Sequence, residues 1–120
     1  MLEARNLTIN YGSRVAVDNV SLSLKAGEVT AVIGPNGAGK TTLFRLLNAT
    51  LRPTFGRVWF DDTELESLSG RRLRQLRRRI GYVIQSAGLF PHRTVLDNVT
   101  TVPHLLGWDR GRARARGLEL

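Results

Sequence analysis

Cysteine is missing from all 120 residues, which excludes disulfides and thiolate metal sites and suits a reducing cytoplasm. Long apolar runs are missing too: none approaches the roughly 18 residues that would span a bilayer. Met1-Leu2-Glu3-Ala4-Arg5 lacks the basic-then-apolar order of a secretory signal. The chain therefore reads as soluble or peripheral. Acidic residues are scarce, 10 against 18 basic, and leave a net charge of +8. Lysine is scarcer still, since only Lys25 and Lys40 stand among those basic residues, an imbalance read mainly as coding bias. Hydrophobic content of 42% and aromatic content of 7% are ordinary for a globular chain, so disorder is not the default.

What is present in force is a glycine-rich turn, Gly34-Pro35-Asn36-Gly37-Ala38-Gly39-Lys40-Thr41-Thr42, which fits G-x-x-x-x-G-K-[ST] at every fixed position. Coincidence produces that match in roughly a few chains per thousand of this length. Glu28-Val29-Thr30-Ala31-Val32-Ile33 before it reads as a buried strand and Leu43 to Asn48 after it as a helix, the order that supports a phosphate-binding loop. Glycines let successive N–H groups converge, and the helix beginning near Lys40 adds its positive end. Polyphosphate is the fitting guest: Lys40 reaches the β- and γ-phosphates, the Thr41 hydroxyl ligates Mg²⁺, and Thr42 donates to the α-phosphate.

Around that loop, Leu2 to Asn10 and Val15 to Leu24 alternate as two antiparallel strands about Tyr11-Gly12-Ser13-Arg14. Arg57 to Phe60 is a short strand, Leu68 to Arg79 an amphipathic helix, and Ile80 to Ile84 a second buried strand ending at Gln85. Ser86 to Arg93 is a loop exposing Leu89 and Phe90. Thr94 caps a helix that Pro103 should bend or restart, and a last basic helix follows Gly107-Trp108-Asp109. Six arginines crowd Arg71 to Arg79 and four more Arg110 to Arg116, most simply solvated helix faces. The other meaning of such a run is nucleic-acid binding, which predicts affinity that falls steeply with salt.

Tyr11 stands 29 residues before Lys40, at the end of a strand that can fold back over a nucleotide. An adenine-stacking ring and an ordinary turn tyrosine stand level on spacing alone. Gln85, 45 residues after Lys40, falls at the carboxyl end of the second buried strand, where ligands sit in open α/β sheets. Its amide suits Mg²⁺ coordination and water positioning, although a capping glutamine is the plainer reading.

Tyr11-Gly12, the run from Gly27-Glu28 to Thr42, Gly81-Tyr82-Val83-Ile84-Gln85 and the phrase from Gly88-Leu89-Phe90-Pro91-His92-Arg93-Thr94 to Val99 together resemble the amino-terminal half of an ABC transporter ATPase subunit. The resemblance implies an α/β P-loop NTPase fold, an ABC-type ATPase core with an amino-terminal antiparallel β subdomain. On it, residues 1–120 form a partial nucleotide-binding domain: β subdomain, Walker A loop, Q-loop and the start of the helical subdomain, with the carboxyl-terminal half absent. It makes Tyr11 the adenine-stacking aromatic, Gly34 to Thr42 the Walker A loop, and Gln85 the glutamine whose loop faces the membrane subunits. Asn98 to Asp109 resembles the same stretch in importers of osmoprotectants such as glycine betaine, choline, carnitine and proline. The partners implied are transmembrane permease subunits, a second ATPase subunit in a homodimer and, indirectly, a substrate-binding protein, at the inner face of the membrane; nucleic acid is not among them.

The departures from the family pattern lie after Gln85. No Leu-Ser-Gly-Gly-Gln follows it, and Leu68-Ser69-Gly70-Arg71-Arg72 precedes it without the second glycine. No apolar strand ending in Asp-Glu follows either, and His92 and His104 come too early to be the switch histidine. The resemblance thus implies MgATP binding through Thr41 and Gln85 with no catalytic base in this chain, hence weak binding without turnover. Poor solubility is also expected, from strands left without neighbours. The remaining readings are a non-functional remnant and a different P-loop NTPase, which would need an Asn/Thr-Lys-x-Asp that is not found here.

Overall fold

The step from Ala4 to Leu7 breaks the two-residue period of a strand, and a bulge absorbs it. In the computed structural model, which describes all residues from Met1 to Leu120, strand β1 (Leu2–Tyr11) buries Ala4, Leu7 and Ile9 on one face. The extra residue is taken up at Asn6, which sits at φ 52° where the pairing register shifts. Asn6 Nδ2 donates to Asn19 Oδ1 at 2.9 Å, and Asn19, at φ 49°, lies on β2 (Arg14–Leu24). The two strands pair antiparallel from Leu2 with Leu24 to Tyr11 with Arg14.

Strand β3 (Phe55–Phe60) pairs antiparallel with the other edge of β1, and β4 (Thr63–Glu64) closes a short hairpin on β3, giving the order β2-β1-β3-β4. Helix α1 (Lys40–Leu47) lays Leu43, Leu46 and Leu47 into the same core as Leu7, Val17, Val58 and Leu65. Helix α2 (Gly70–Arg77) is capped by Ser69 and adds Leu73 to that core. Its cationic face is partly used within the fold. Arg77 Nη2 donates to the Ala49 carbonyl at 2.9 Å, and the guanidinium of Arg79, just past the helix, lies 4.9 Å from the Phe60 ring centroid.

These elements belong to a first compact unit, Met1–Gly81; Tyr82–Leu120 forms a second. In the second, α3 (Val95–Leu105) starts at Thr94, whose hydroxyl accepts from the Asp97 N–H at 3.1 Å. Helix α4 (Arg110–Glu119) starts at Asp109, which accepts from the Arg112 N–H at 2.9 Å. The two helices pack through small side chains, with Thr100 and Ala113 buried.

Three expectations need correction. Glu28–Ile33 and Ile80–Ile84 are not strands. A strand exists through a neighbour's carbonyls and amides, and within these 120 residues no segment pairs with either one. Pro103 does not restart α3, which runs on as one helix to Leu105. It lies in the last turn, where only one intrahelical bond is forfeited.

The unpaired segments leave apolar side chains bare: Val29 is 100% exposed, Ile33 93% and Val83 96%. The 120-residue chain on its own is therefore expected to self-associate, and Val29→Ser with Val83→Ser to shift it toward monomer in sedimentation velocity. A monomeric parent chain would contradict this.

Candidate phosphate-binding site

The turn between Ile33 and α1 is held by its own backbone and by one ammonium. The Ala38 N–H donates to the Pro35 carbonyl at 3.2 Å, and the Leu43 N–H to the Gly39 carbonyl at 2.8 Å. Lys40 Nζ folds back, donating to the Gly34 carbonyl and to the Pro35 carbonyl, the latter at 2.8 Å. The lysine thus spans the start of the loop while rooted at its end. Gly37 and Gly39 take φ of 83° and 95°, a region that L side chains rarely enter.

Gly39 is the N-cap residue of α1 and brings no capping side chain, and the first turn holds no carboxylate. The amides of Lys40, Thr41 and Thr42 have no acceptor in the protein. These are the orphan donors of a helix start, facing outward at its positive end. Asn36 and Thr41 are exposed, and Thr42 is half-buried. The loop also rests on the sheet: a Cβ on Gly39 would collide with the Ala16 carbonyl oxygen of β2. A cavity of about 320 Å³ lies beside this seat, walled by Ala16, Val17, Val20, Val32 and the stem of Lys40.

The structure therefore brings Gly34, Pro35, Asn36, Gly37, Ala38, Gly39, Lys40, Thr41 and Thr42 together. Tyr11 lies in the same unit, half-exposed at the end of β1 beside Arg14, and is not among the residues walling that cavity. Gln85 belongs to the second unit, exposed, and its side chain makes no hydrogen bond. No group of three or more His, Cys, Asp or Glu residues is placed to hold a metal. His92 packs edge-on against Phe90, with ring centroids 6.0 Å apart, and His104 is exposed on α3.

Sequence reasoning missed the contribution of Ala16. Its role is a backbone oxygen under the loop, and the identity of an alanine carries no signal for that. MgATP fits the donor set: three free amides and an ammonium suit phosphate oxygens, and the Thr41 hydroxyl is a hard oxygen donor of the kind Mg²⁺ takes.

A glycine turn seated on a sheet and opening a helix of uncapped amides defines a P-loop, nucleotide-binding type of protein. The chain belongs to the ABC transporter family, whose sequence profile matches residues 17–119. The osmoprotectant import ATP-binding protein OsmV of Salmonella typhimurium is 39% identical over 125 aligned positions, covering 100% of this chain and 32% of that protein. The choline transport ATP-binding protein OpuBA of Bacillus subtilis is 40% identical over 121, covering 100% and 31%. The methionine import ATP-binding protein MetN of Carboxydothermus hydrogenoformans is 42% identical over 123, covering 100% and 36%.

Among solved structures, the dimeric structure of a bacterial ABC transporter cassette matches 99% of this chain and 55% of its own, with a TM-score of 0.87 at 32% identity. A dimeric post-hydrolysis state of an ATP-binding cassette bound to ADP and Pi gives 0.85 at 31% identity, with the same coverage. The chain spans about a third of the length of the curated relatives it matches.

Proposed function

We propose that residues 1–120 are the front part of the nucleotide-binding domain of an ABC importer's ATP-binding subunit, comprising β subdomain, Walker A loop, Q-loop and the start of the helical subdomain. The observation that carries this is the uncapped start of α1: free amides of Lys40, Thr41 and Thr42 beside an ammonium held only by carbonyls. Triphosphate oxygens take the place of those carbonyls on Lys40 and accept from the amides. The Thr41 hydroxyl would hold Mg²⁺, which would neutralise phosphate charge there. Tyr11 stacks on the adenine.

These residues by themselves bind MgATP weakly and do not turn it over, because no apolar strand ending in Asp-Glu follows Gln85 in them to supply a general base. Titration of the chain with a fluorescent ATP analogue in Mg²⁺ is expected to saturate, with no steady phosphate release. Release that vanishes in Lys40→Ala would overturn the no-turnover reading, and absence of any binding would overturn the site.

In the whole protein the ATP-binding domain works as a homodimer under transmembrane permease subunits, at the cytoplasmic face of the membrane, with a substrate-binding protein delivering the solute. No helix here is long and apolar enough to cross a membrane. The solute class we infer is osmoprotectant quaternary amines, supported by osmoprotectant, choline and carnitine import relatives that match the full chain. Methionine import is the second reading, favoured by relatives of 42% and 46% identity. Uptake of labelled glycine betaine against labelled methionine, in cells with and without the gene, separates the two.

A further inference from the structure

The arginines of α4 divide into two pairs. The Arg112 guanidinium carbon lies 3.8 Å from the Trp108 ring centroid, and Arg116 Nη1 donates to Glu119 Oε2 at 2.8 Å. The guanidiniums of Arg110 and Arg114 make no ion pair, hydrogen bond or ring contact within the chain. These two, one helical turn apart, line a cavity of about 350 Å³ between α3 and α4, together with His104 in the last turn of α3. That volume lies at the small end of ligand sites, which run from roughly 300 to 1,000 Å³.

The protein's own counter-charge does not reach this cationic end. Asp97, the one carboxylate on the wall, stands in the first turn of α3, about 10 Å along the helix from His104. It pairs with no arginine, and its Oδ2 accepts from the Thr94 hydroxyl at 2.8 Å. Thr100, also on the wall, spends its hydroxyl on the Leu96 carbonyl at 2.8 Å. Like charges at i and i+4 repel, and an anion between them relieves the repulsion.

We propose that this cavity binds a phosphate group through the guanidiniums of Arg110 and Arg114 and the imidazole of His104. A planar guanidinium meets phosphate oxygens two at a time, and an imidazole keeps one N–H to donate even when neutral. Phosphate as inorganic ion or monoester brings charge for both arginines and oxygens for three donors, which chloride does not. The same donors serve a small phosphomonoester in solution and a monoester headgroup on a lipid. The site lies within the second unit and does not rest on the nucleotide reading.

Inorganic phosphate titrated into the full 120-residue chain, in the Val29→Ser and Val83→Ser background, tests this by nuclear magnetic resonance of the arginine Nε–Hε groups. The Arg110 and Arg114 signals are expected to shift and saturate while those of Arg112 and Arg116 move little, and chloride at equal ionic strength should give no saturation. Arg110→Gln with Arg114→Gln should weaken phosphate binding, read at the α3 amides, by at least about tenfold, and Arg112→Gln with Arg116→Gln, which removes the same charge, should leave it within about twofold. Equal losses in the two double variants, or a chloride curve matching that of phosphate, overturn the site. Phosphatidylcholine vesicles with and without phosphatidic acid distinguish the source. Pelleting that needs phosphatidic acid and is lost only in the Arg110 and Arg114 double variant assigns the phosphate to a lipid headgroup; solution binding without pelleting assigns it to a small phosphomonoester. No saturable binding in either arm overturns the proposal. Every signal read belongs to α3 or α4, so failure here leaves the ATP reading standing, and a failed ATP titration leaves this cavity standing.

Discussion

Lys40→Ala is expected to weaken MgATP binding by about 10- to 150-fold while leaving AMP binding within about threefold of the parent chain. The magnitude follows from one charge-assisted hydrogen-bonding group, worth about 1.5–3 kcal/mol, with tenfold in affinity for every 1.4 kcal/mol or so. The selectivity follows from position. Lys40 opens α1, and its ammonium folds back to the Gly34 and Pro35 carbonyls at the start of the loop. In the proposed site that ammonium reaches the β- and γ-phosphates, which AMP lacks. Two effects are mixed in the alanine variant, because it removes both the phosphate partner and the tie across the loop. AMP separates them: a collapsed loop would lose AMP as well as ATP. Lys40→Arg tests geometry apart from charge, since a planar fork does not replace a compact ammonium seated between two carbonyls. An ATP affinity in Lys40→Ala within about threefold of the parent would remove Lys40 from the site.

The fold was legible in the sequence wherever a segment makes its own partners. Thr94 and Asp109 cap α3 and α4 as their residue types suggest, and β1 and β2 pair about Gly12-Ser13 as the alternation suggests. The loop was legible because its glycines are demanded by backbone angles that other residues avoid. Glu28–Ile33 failed for the opposite reason. An apolar run reports that a segment can be buried between neighbours, and here Val29 and Ile33 have none. The bulge at Asn6 was invisible because asparagine is an ordinary surface residue until its partners are known. The net charge of +8 says little by itself about a polyanion partner, since Arg77, Arg79, Arg93 and Arg112 are engaged by a carbonyl or by aromatic rings of this same chain.

Gly39→Ala should be the most damaging single methyl that can be added to the loop, and Gly37→Ala shows why. Both glycines have positive φ, 83° at Gly37 and 95° at Gly39, so alanine at either is strained by about 1–3 kcal/mol. Around Gly37 a new Cβ meets nothing within 4 Å, so strain is its whole effect. At Gly39 the Cβ runs into the Ala16 carbonyl oxygen and comes within 3.6 Å of a Val17 methyl. The Val17 methyl is at ordinary contact distance, but the Ala16 oxygen is not and cannot yield. Ala16 is main chain in β2, and Val17 is buried in the core that Leu43, Leu46 and Leu47 of α1 complete. The methyl is accommodated only if the start of α1 lifts off the sheet, which loosens that core and turns the Lys40 to Thr42 amides away from a shared focus. The expected loss of stability is about 3–5 kcal/mol, at the far end of what point changes do. Urea unfolding of both variants in a Val29→Ser and Val83→Ser background, followed by far-ultraviolet circular dichroism, gives the comparison. Gly39→Ala should lose at least about 2 kcal/mol more than Gly37→Ala and should bind no MgATP; equal losses would mean that the loop does not rest on Ala16.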